Sequence, residues 1–127
     1  MKEILFRGYS STQRQWVYGD LLHTTDRKTH ISNEQSFIGV NPETVGQFTG
    51  LIDKNGTKVF EGDVLKGAWK TILTIFYDEI TLSYRVKTSV GYDREPSYYG
   101  IEKLEVIGNI YDNPELMKSE VWYDYIK

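Results

Sequence analysis

The chain has 127 residues, with 15 Lys or Arg against 18 Asp or Glu and a net charge of −3 at pH 7. This length suits one domain with its own core, and contents of 39% hydrophobic and 14% aromatic residues are typical of a folded chain. The absence of cysteine excludes disulfide frameworks, cysteine nucleophiles, iron–sulfur clusters and thiolate zinc sites.

The N-terminal part of the chain alternates with a period of two residues, which predicts strands at residues 4–9 and 16–22. The segment 23–36 is polar and aperiodic, so it predicts a loop or a short hairpin extension. Residues 37–40 follow as a short buried strand.

Two Asn-Pro-Glu tripeptides predict helix starts. Asn41 is a good N-cap and Pro42 suits the first helical position, but Gly46 follows closely, so we expect one helical turn near 42–46. At Asn113 the same device precedes apolar residues spaced four apart, which predicts a C-terminal helix at about 114–126.

Strands and turns dominate the middle of the chain. Residues 51–60 predict a β-hairpin whose turn uses Gly56, and residues 61–63 predict a second tight turn. Residues 71–78 are apolar on both faces and predict a central strand, whereas 81–88 alternates with Leu82, Tyr84 and Val86 inside. We expect a loop over residues 91–100, and a further strand with Leu104, Val106, Gly108 and Ile110 on one face.

These elements indicate a mainly β fold, a small antiparallel barrel or sandwich. We expect a single domain over residues 1–127. It comprises N-terminal strands and a polar loop (1–36), a barrel core (about 37–112) and the C-terminal helix.

Motifs for catalysis or metal binding are weak. His23 and His30 could hold zinc only with a third ligand such as Asp20 or Asp26, and exposed loop histidines are far commoner. The carboxylate pairs Asp78–Glu79 and Glu102–Glu105 would have to flank one cleft for acid–base catalysis, and carboxylates at strand ends are usually solvated instead. Calcium, phosphate-loop and serine-nucleophile motifs are all incomplete. We therefore expect no enzyme, no catalytic residue, no metal and no cofactor.

Aromatic residues are abundant, with ten Tyr, three Trp and five Phe. Tyr92, Tyr98 and Tyr99 cluster near Arg94, and loop aromatics beside arginine can form interface hot spots, stack nucleic-acid bases, or simply cover the end of a barrel. Trp122 and Tyr125 in the tail suit either intramolecular docking or a subunit contact. These six residues form the candidate interaction surface. The aromatic residues expected in the core are Phe6, Trp16, Phe48, Phe60, Phe76 and Tyr84.

Four segments resemble the YopX family of phage and prophage proteins. They are KEILFRGY (2–9), WVYGDLL (16–22), NPETVGQFTGLIDKNGTKVFEGDVL (41–65) and VIGNIYDNPELM (106–117). The tail after Met117 is longer than the family pattern. The resemblance implies an SH3-type small barrel and an uncharacterised activity, so no functional residues carry over. The matching PETVGQFTG, DKNG and EGD segments are turn and cap signatures.

Our leading hypothesis is a non-enzymatic phage accessory protein that binds a host or phage protein. A nucleic-acid-binding barrel is the alternative, disfavoured by the negative charge; it requires the basic residues to gather on one face. A homo-oligomeric structural protein is a third. With no apolar run long enough to span a membrane and no signal-peptide pattern, we expect no membrane partner and a cytoplasmic location in the bacterial host. The basic residues concerned are Arg14, Arg27, Lys28, Arg85, Lys87 and Arg94.

Overall fold

The computed structural model describes residues 3–34 and 36–118. They form two antiparallel sheets with short helical turns between strands, so the prediction of a mainly β fold is confirmed. No helix in these ranges is long and apolar enough to cross a membrane. The strands are β1 (Phe6–Ser10), β2 (Gln15–His23), β3 (Thr29–Ser32), β4 (Phe37–Gly39), β5 (Gly46–Ile52), β6 (Lys58–Phe60), β7 (Asp63–Lys66), β8 (Ile72–Asp78), β9 (Ser83–Thr88), β10 (Asp93–Arg94) and β11 (Glu105–Asn109). The helical segments are α1 (Pro96–Tyr99) and 3₁₀ turns at Pro42–Thr44, Ala68–Lys70, Ile101–Lys103 and Pro114–Met117.

The chain divides into two compact units, residues 1–48 and residues 49–127. In the first unit the strand order is β4-β3-β2-β1, and β1 also pairs with the start of β5. This division does not test the prediction of a single domain over residues 1–127, which stays a prediction. The core of the first unit consists of Val17, Ile31 and Val40, with Phe6, Leu21, Ile38 and Val45 packed against it.

The polar segment 23–36 proves to be a hairpin extension. Its register places Leu22 opposite His30 and Leu21 opposite Ile31. A turn closes the hairpin, since the Thr24 N–H donates to the Lys28 carbonyl at 3.0 Å. Buried Ile31 supplies the apolar contact that keeps this otherwise polar segment paired.

The predicted helical turn after Asn41 is confirmed as the 3₁₀ turn Pro42–Thr44. The Asn41 side chain accepts a hydrogen bond from the Glu43 N–H at 3.1 Å, which is the expected capping contact. The turn is also tied to β1, because the Tyr9 N–H donates to Thr44 Oγ1 at 2.9 Å. Gly46 already belongs to β5, so the turn ends earlier than predicted.

The sheet of the second unit has the strand order β10-β9-β8-β7-β11. The predicted central position of residues 71–78 is confirmed, since β8 pairs with β7 on one side and with β9 on the other. The buried core of this unit comprises Val59, Leu65, Leu73, Ile75, Val86, Ile101 and Leu104.

Both predicted turns between residues 51 and 63 are present. Gly56 has a φ of 82°, a conformation that glycine adopts without strain. Asp53 closes this turn by accepting hydrogen bonds from the N–H groups of Asn55 and Thr57, each at 2.8 Å. In the next turn, Asp63 Oδ2 accepts from the Phe60 N–H at 2.7 Å. The buried carboxylates of Asp53 and Asp63 therefore act as hydrogen-bond acceptors for backbone N–H groups.

The alternation of the last strands was predicted wrongly in two places. Leu82 is 73% exposed, because it lies in the turn before β9 with a φ of 56°. In β11 a bulge between Val106 and Gly108 shifts the register, so Asn109 becomes buried and Ile110 is exposed.

The expected core aromatics divide into two groups. Phe48 and Phe60 are buried as predicted, whereas the other four are half-buried.

Asn113 precedes the 3₁₀ turn Pro114–Met117 without a side-chain cap; its Oδ1 instead accepts from the Asn109 N–H at 3.3 Å. The rest of the predicted C-terminal helix, to about residue 126, lies outside the described residues.

Candidate interaction surface

The segment 91–100, which the sequence predicted as a loop, contains the strand β10 and the helical turn α1. Thr88 holds the start of this segment: its Oγ1 accepts from the Tyr92 N–H at 2.9 Å, and its N–H donates to the Tyr92 carbonyl at 2.8 Å. Pro96 occupies the start of α1 and keeps Glu95 extended. The aromatic side chains therefore project from hydrogen-bonded backbone.

The guanidinium of Arg94 lies over two tyrosine rings. Its Cζ atom is 5.5 Å from the centre of the Tyr92 ring and 5.4 Å from that of Tyr98. The two rings are 59% and 67% exposed, so the stack lies on the surface. Cation–π contacts at exposed sites contribute about 0.5–1 kcal/mol each, which is enough to favour one arrangement of these side chains.

Tyr99 anchors this surface to the core of the second unit. It packs against the buried cluster, and its ring meets that of Tyr98 edge-on at a centroid distance of 5.0 Å. Burial raises the pKa of the Tyr99 hydroxyl, and the Arg94 charge offsets only part of that rise. The phenol therefore stays neutral at physiological pH.

Four of the six predicted surface residues thus come together, and we call Tyr92, Arg94, Tyr98 and Tyr99 the tyrosine–arginine cluster. The prediction about Trp122 and Tyr125 lies outside the described residues.

A groove of about 690 Å³ lies beside α1 within the second unit. Its lining includes apolar surface from Leu51, Tyr84 and Ile101, and the exposed carboxylates of Glu95 and Glu102. Burial raises the pKa of Tyr84 to about 12, and the nearby Glu61 carboxylate adds to the rise. We call this cavity the β9–α1 groove.

One basic side chain, Arg85, lines the β9–α1 groove, and it is already paired. Arg85 Nε lies 2.6 Å from Asp93 Oδ1, and the arginine side chain is only 22% exposed. Such short charge-assisted contacts fix the guanidinium in place. The pair also links β9 to β10, the strand that contains Arg94 of the tyrosine–arginine cluster.

Both histidines lie in strands of the first unit. His30 lies in β3 and packs edge-on against Phe37, with ring centres 5.2 Å apart, whereas His23 ends β2. Across residues 3–34 and 36–118, no group of three or more His, Asp or Glu side chains could hold a metal ion.

The predicted carboxylate pairs take separate local roles. Asp78 Oδ1 accepts from the Ile80 N–H at 3.0 Å in the turn before β9. Glu105 Oε2 lies 3.8 Å from Lys54 Nζ.

The six basic residues proposed for nucleic-acid binding are distributed over both units. Arg14, Arg27 and Lys28 belong to residues 1–48, and Arg85, Lys87 and Arg94 to residues 49–127. Lys28 lies 4.0 Å from an Asp26 oxygen, and Arg85 is paired with Asp93. Acidic neighbours thus offset part of this positive charge.

A model of the YopX protein family matches residues 5–118. The chain belongs to the YopX family. It is similar in structure to protein EF1440 from Enterococcus faecalis, whose crystal structure aligns with a TM-score of 0.56 at 20% identity, over 93% of this chain and 100% of that chain. At this identity the similarity shows the fold alone. No curated protein matches the chain.

Sequence reasoning missed the β9–α1 groove in this YopX-family chain. Its lining comes from β5, the turn before β9, β9 itself, α1 and the 3₁₀ turn at residues 101–103. These segments are far apart along the chain and share no motif. The spacing of Pro96 and Gly100, which bound α1, was the one local signal of structure in that region.

Proposed function

We propose that this YopX-family chain is a phage- or prophage-encoded accessory protein that has no enzymatic activity and binds a host or phage protein in the bacterial cytoplasm. We further propose that its strands form a small SH3-type barrel. The observation that carries the proposal is the exposed contact of the Arg94 guanidinium with the rings of Tyr92 and Tyr98.

Tyrosine and arginine are enriched at the centres of protein interfaces, where they supply much of the binding energy. Tyrosine offers a large contact area with few rotatable bonds, so little conformational entropy is lost on binding. Here the contacts with Arg94 restrict the rings further before any partner arrives. Backbone hydrogen bonds at Thr88 hold the segment that presents them.

The charge distribution favours a protein partner over nucleic acid. A nucleic-acid surface needs several unpaired basic groups that can each neutralise a phosphate. In this chain Arg85 is paired with Asp93, and the net charge is −3.

The test is an affinity pull-down of the tagged protein from phage-producing host cells, with and without nuclease. We expect a protein recovered in stoichiometric amount that persists after nuclease treatment. The double variant Tyr92→Ala/Tyr98→Ala should lose it. Trp69→Ala removes an aromatic side chain that is 81% exposed elsewhere in the second unit, so it should retain the partner.

Two results would overturn the proposal. Recovery that disappears with nuclease would assign the chain to nucleic-acid binding. Recovery of the tagged protein alone would instead favour self-assembly or a small-molecule role.

A further inference from the structure

We infer that the β9–α1 groove binds an extended, basic segment of the partner protein, with an apolar side chain on the groove floor and an arginine or lysine facing Glu95 and Glu102. This inference rests on the proposed function, because it names the surface and the class of segment that such a binding module takes.

The size and composition of the β9–α1 groove suit a binding site. Its volume of about 690 Å³ lies within the usual range of ligand-binding clefts. Leu51 and Tyr84 are half-buried at its lining, and Ile101 is buried. Covering this surface with an apolar side chain removes it from water, which favours binding.

The charged side chains of the groove favour a basic segment. Glu95 and Glu102 are both exposed, and within residues 3–34 and 36–118 neither has a basic side chain at ion-pair distance. Arg85, the basic residue of the lining, is already paired with Asp93 at 2.6 Å. The groove thus presents two uncompensated carboxylates, which attract a cationic segment and repel an acidic one.

The sheet edge beside the groove favours an extended segment. β10 has two residues, Asp93 and Arg94, which pair with Lys87 and Val86 of β9. Ser83 and Arg85 lie beyond the end of β10 and line the groove. A peptide in extended conformation can therefore lie in the groove between β9 and α1.

The experiment uses two short synthetic peptides that differ only at their charged positions. One alternates arginine with leucine, and the other has glutamate in place of each arginine. Each is titrated into the ¹⁵N-labelled full chain, with amide shifts and fluorescence anisotropy as readouts. We expect the arginine peptide to shift the amides of residues 83–85, 95–97 and 101–102, and the glutamate peptide to leave them unchanged.

Two double variants distinguish the effect of the groove carboxylates from the effect of net charge. Glu95→Gln/Glu102→Gln should weaken binding of the arginine peptide about fivefold to tenfold, the loss expected for two exposed ion pairs. Glu43→Gln/Glu115→Gln removes the same net charge from exposed positions outside the groove, so it should bind within about twofold of the wild type. Equal binding of both peptides, shifts outside the groove, or equal affinity of the two double variants would each overturn the inference.

The pull-down distinguishes this inference from the proposed function. If Glu95→Gln/Glu102→Gln retains the partner while Tyr92→Ala/Tyr98→Ala loses it, protein binding stands and the groove inference is wrong. If the arginine peptide occupies the groove as described but no partner protein is recovered, the groove chemistry stands and the proposed function is wrong.

Discussion

The carboxylate of Asp53 accepts a hydrogen bond from the Val106 N–H at 2.9 Å, although the two residues are 53 positions apart. The other carboxylate oxygen closes the turn between β5 and β6. One buried side chain thus connects this hairpin to β11. Asp53 therefore belongs to the structural framework of the second unit.

We predict that Asp53→Ala destabilises the protein by about 3 kcal/mol, because it leaves three backbone N–H groups without their acceptor. Chemical denaturation monitored by circular dichroism measures this loss. The neighbouring Lys54→Ala is the control: Lys54 is exposed and lies 3.8 Å from Glu105, so its cost should stay within about 0.5 kcal/mol. A loss below about 1 kcal/mol for Asp53→Ala would contradict the assigned role.

Stability should also depend on pH through Asp53. Burial raises the pKa of this carboxyl. Hydrogen bonds from the N–H groups of Val106, Thr57 and Asn55 together lower the pKa by more than burial raises it, so the net shift is downward from 3.8. Asp53 therefore stabilises the fold above the pKa of the unfolded chain, and this contribution is lost as pH falls through the folded-state pKa.

Urea titrations between neutral pH and about pH 3 measure this acid dependence. We expect the unfolding free energy of Asp53→Asn to vary less across the interval than that of the wild type. An identical pH dependence in the two proteins would show that other carboxylates are responsible.

Two glycines in neighbouring parts of the first sheet should respond oppositely to alanine. A Cβ atom at Gly19 would overlap the carbonyl oxygen of Ser32 in β3, so backbone must move. At Gly39 the nearest atoms belong to His30, 3.9 Å away. We predict that Gly19→Ala costs about 3 kcal/mol or more. Gly39→Ala should be neutral or stabilising by up to about 1 kcal/mol. Thermal denaturation of the two variants compares them directly, and equal melting temperatures would contradict the close β2–β3 approach.

Arg94→Lys tests the geometry of the tyrosine–arginine cluster while retaining its charge. Lysine lacks the planar guanidinium that lies over Tyr92 and Tyr98. We predict that partner binding weakens about tenfold with little change in melting temperature. Lys87→Ala, which removes an exposed charge on β9, should bind as the wild type does. If Arg94→Lys binds normally and Lys87→Ala does not, overall charge rather than stacking governs recognition.

Tyr84 should titrate well above the ordinary pKa of a tyrosine hydroxyl. Burial, together with the Glu61 carboxylate and Tyr77, raises its pKa from 10.0 to about 12. The neutral phenol therefore contributes stability that is fully present below the pKa of the unfolded chain, and this stability is lost as pH rises through about 12. NMR of ¹³Cζ-labelled tyrosine follows each hydroxyl, and Tyr84→Phe identifies the late resonance. A Tyr84 signal that titrates near 10 would mean that water reaches the hydroxyl.

The amino-acid sequence by itself determined the features that depend on neighbouring residues. The Asn41 cap, the positive φ at Gly56 and the central strand 71–78 follow from short-range chemistry. The family was also recognisable from four segments, since the matching model spans residues 5–118. The grouping of Tyr92, Tyr98 and Tyr99 with Arg94 was visible in the sequence, because all four lie within residues 91–100.

The tertiary structure alone decided the features that join distant residues. No local pattern indicates that Asp53 meets Val106, or that a bulge in β11 buries Asn109 and exposes Ile110. The same holds for the β9–α1 groove, where Leu51 and Glu102 come to line one cavity. These arrangements depend on how strands pair across long stretches of chain. The free energy of that pairing comes from packing and backbone hydrogen bonds summed over the whole sheet, which residue spacing does not encode.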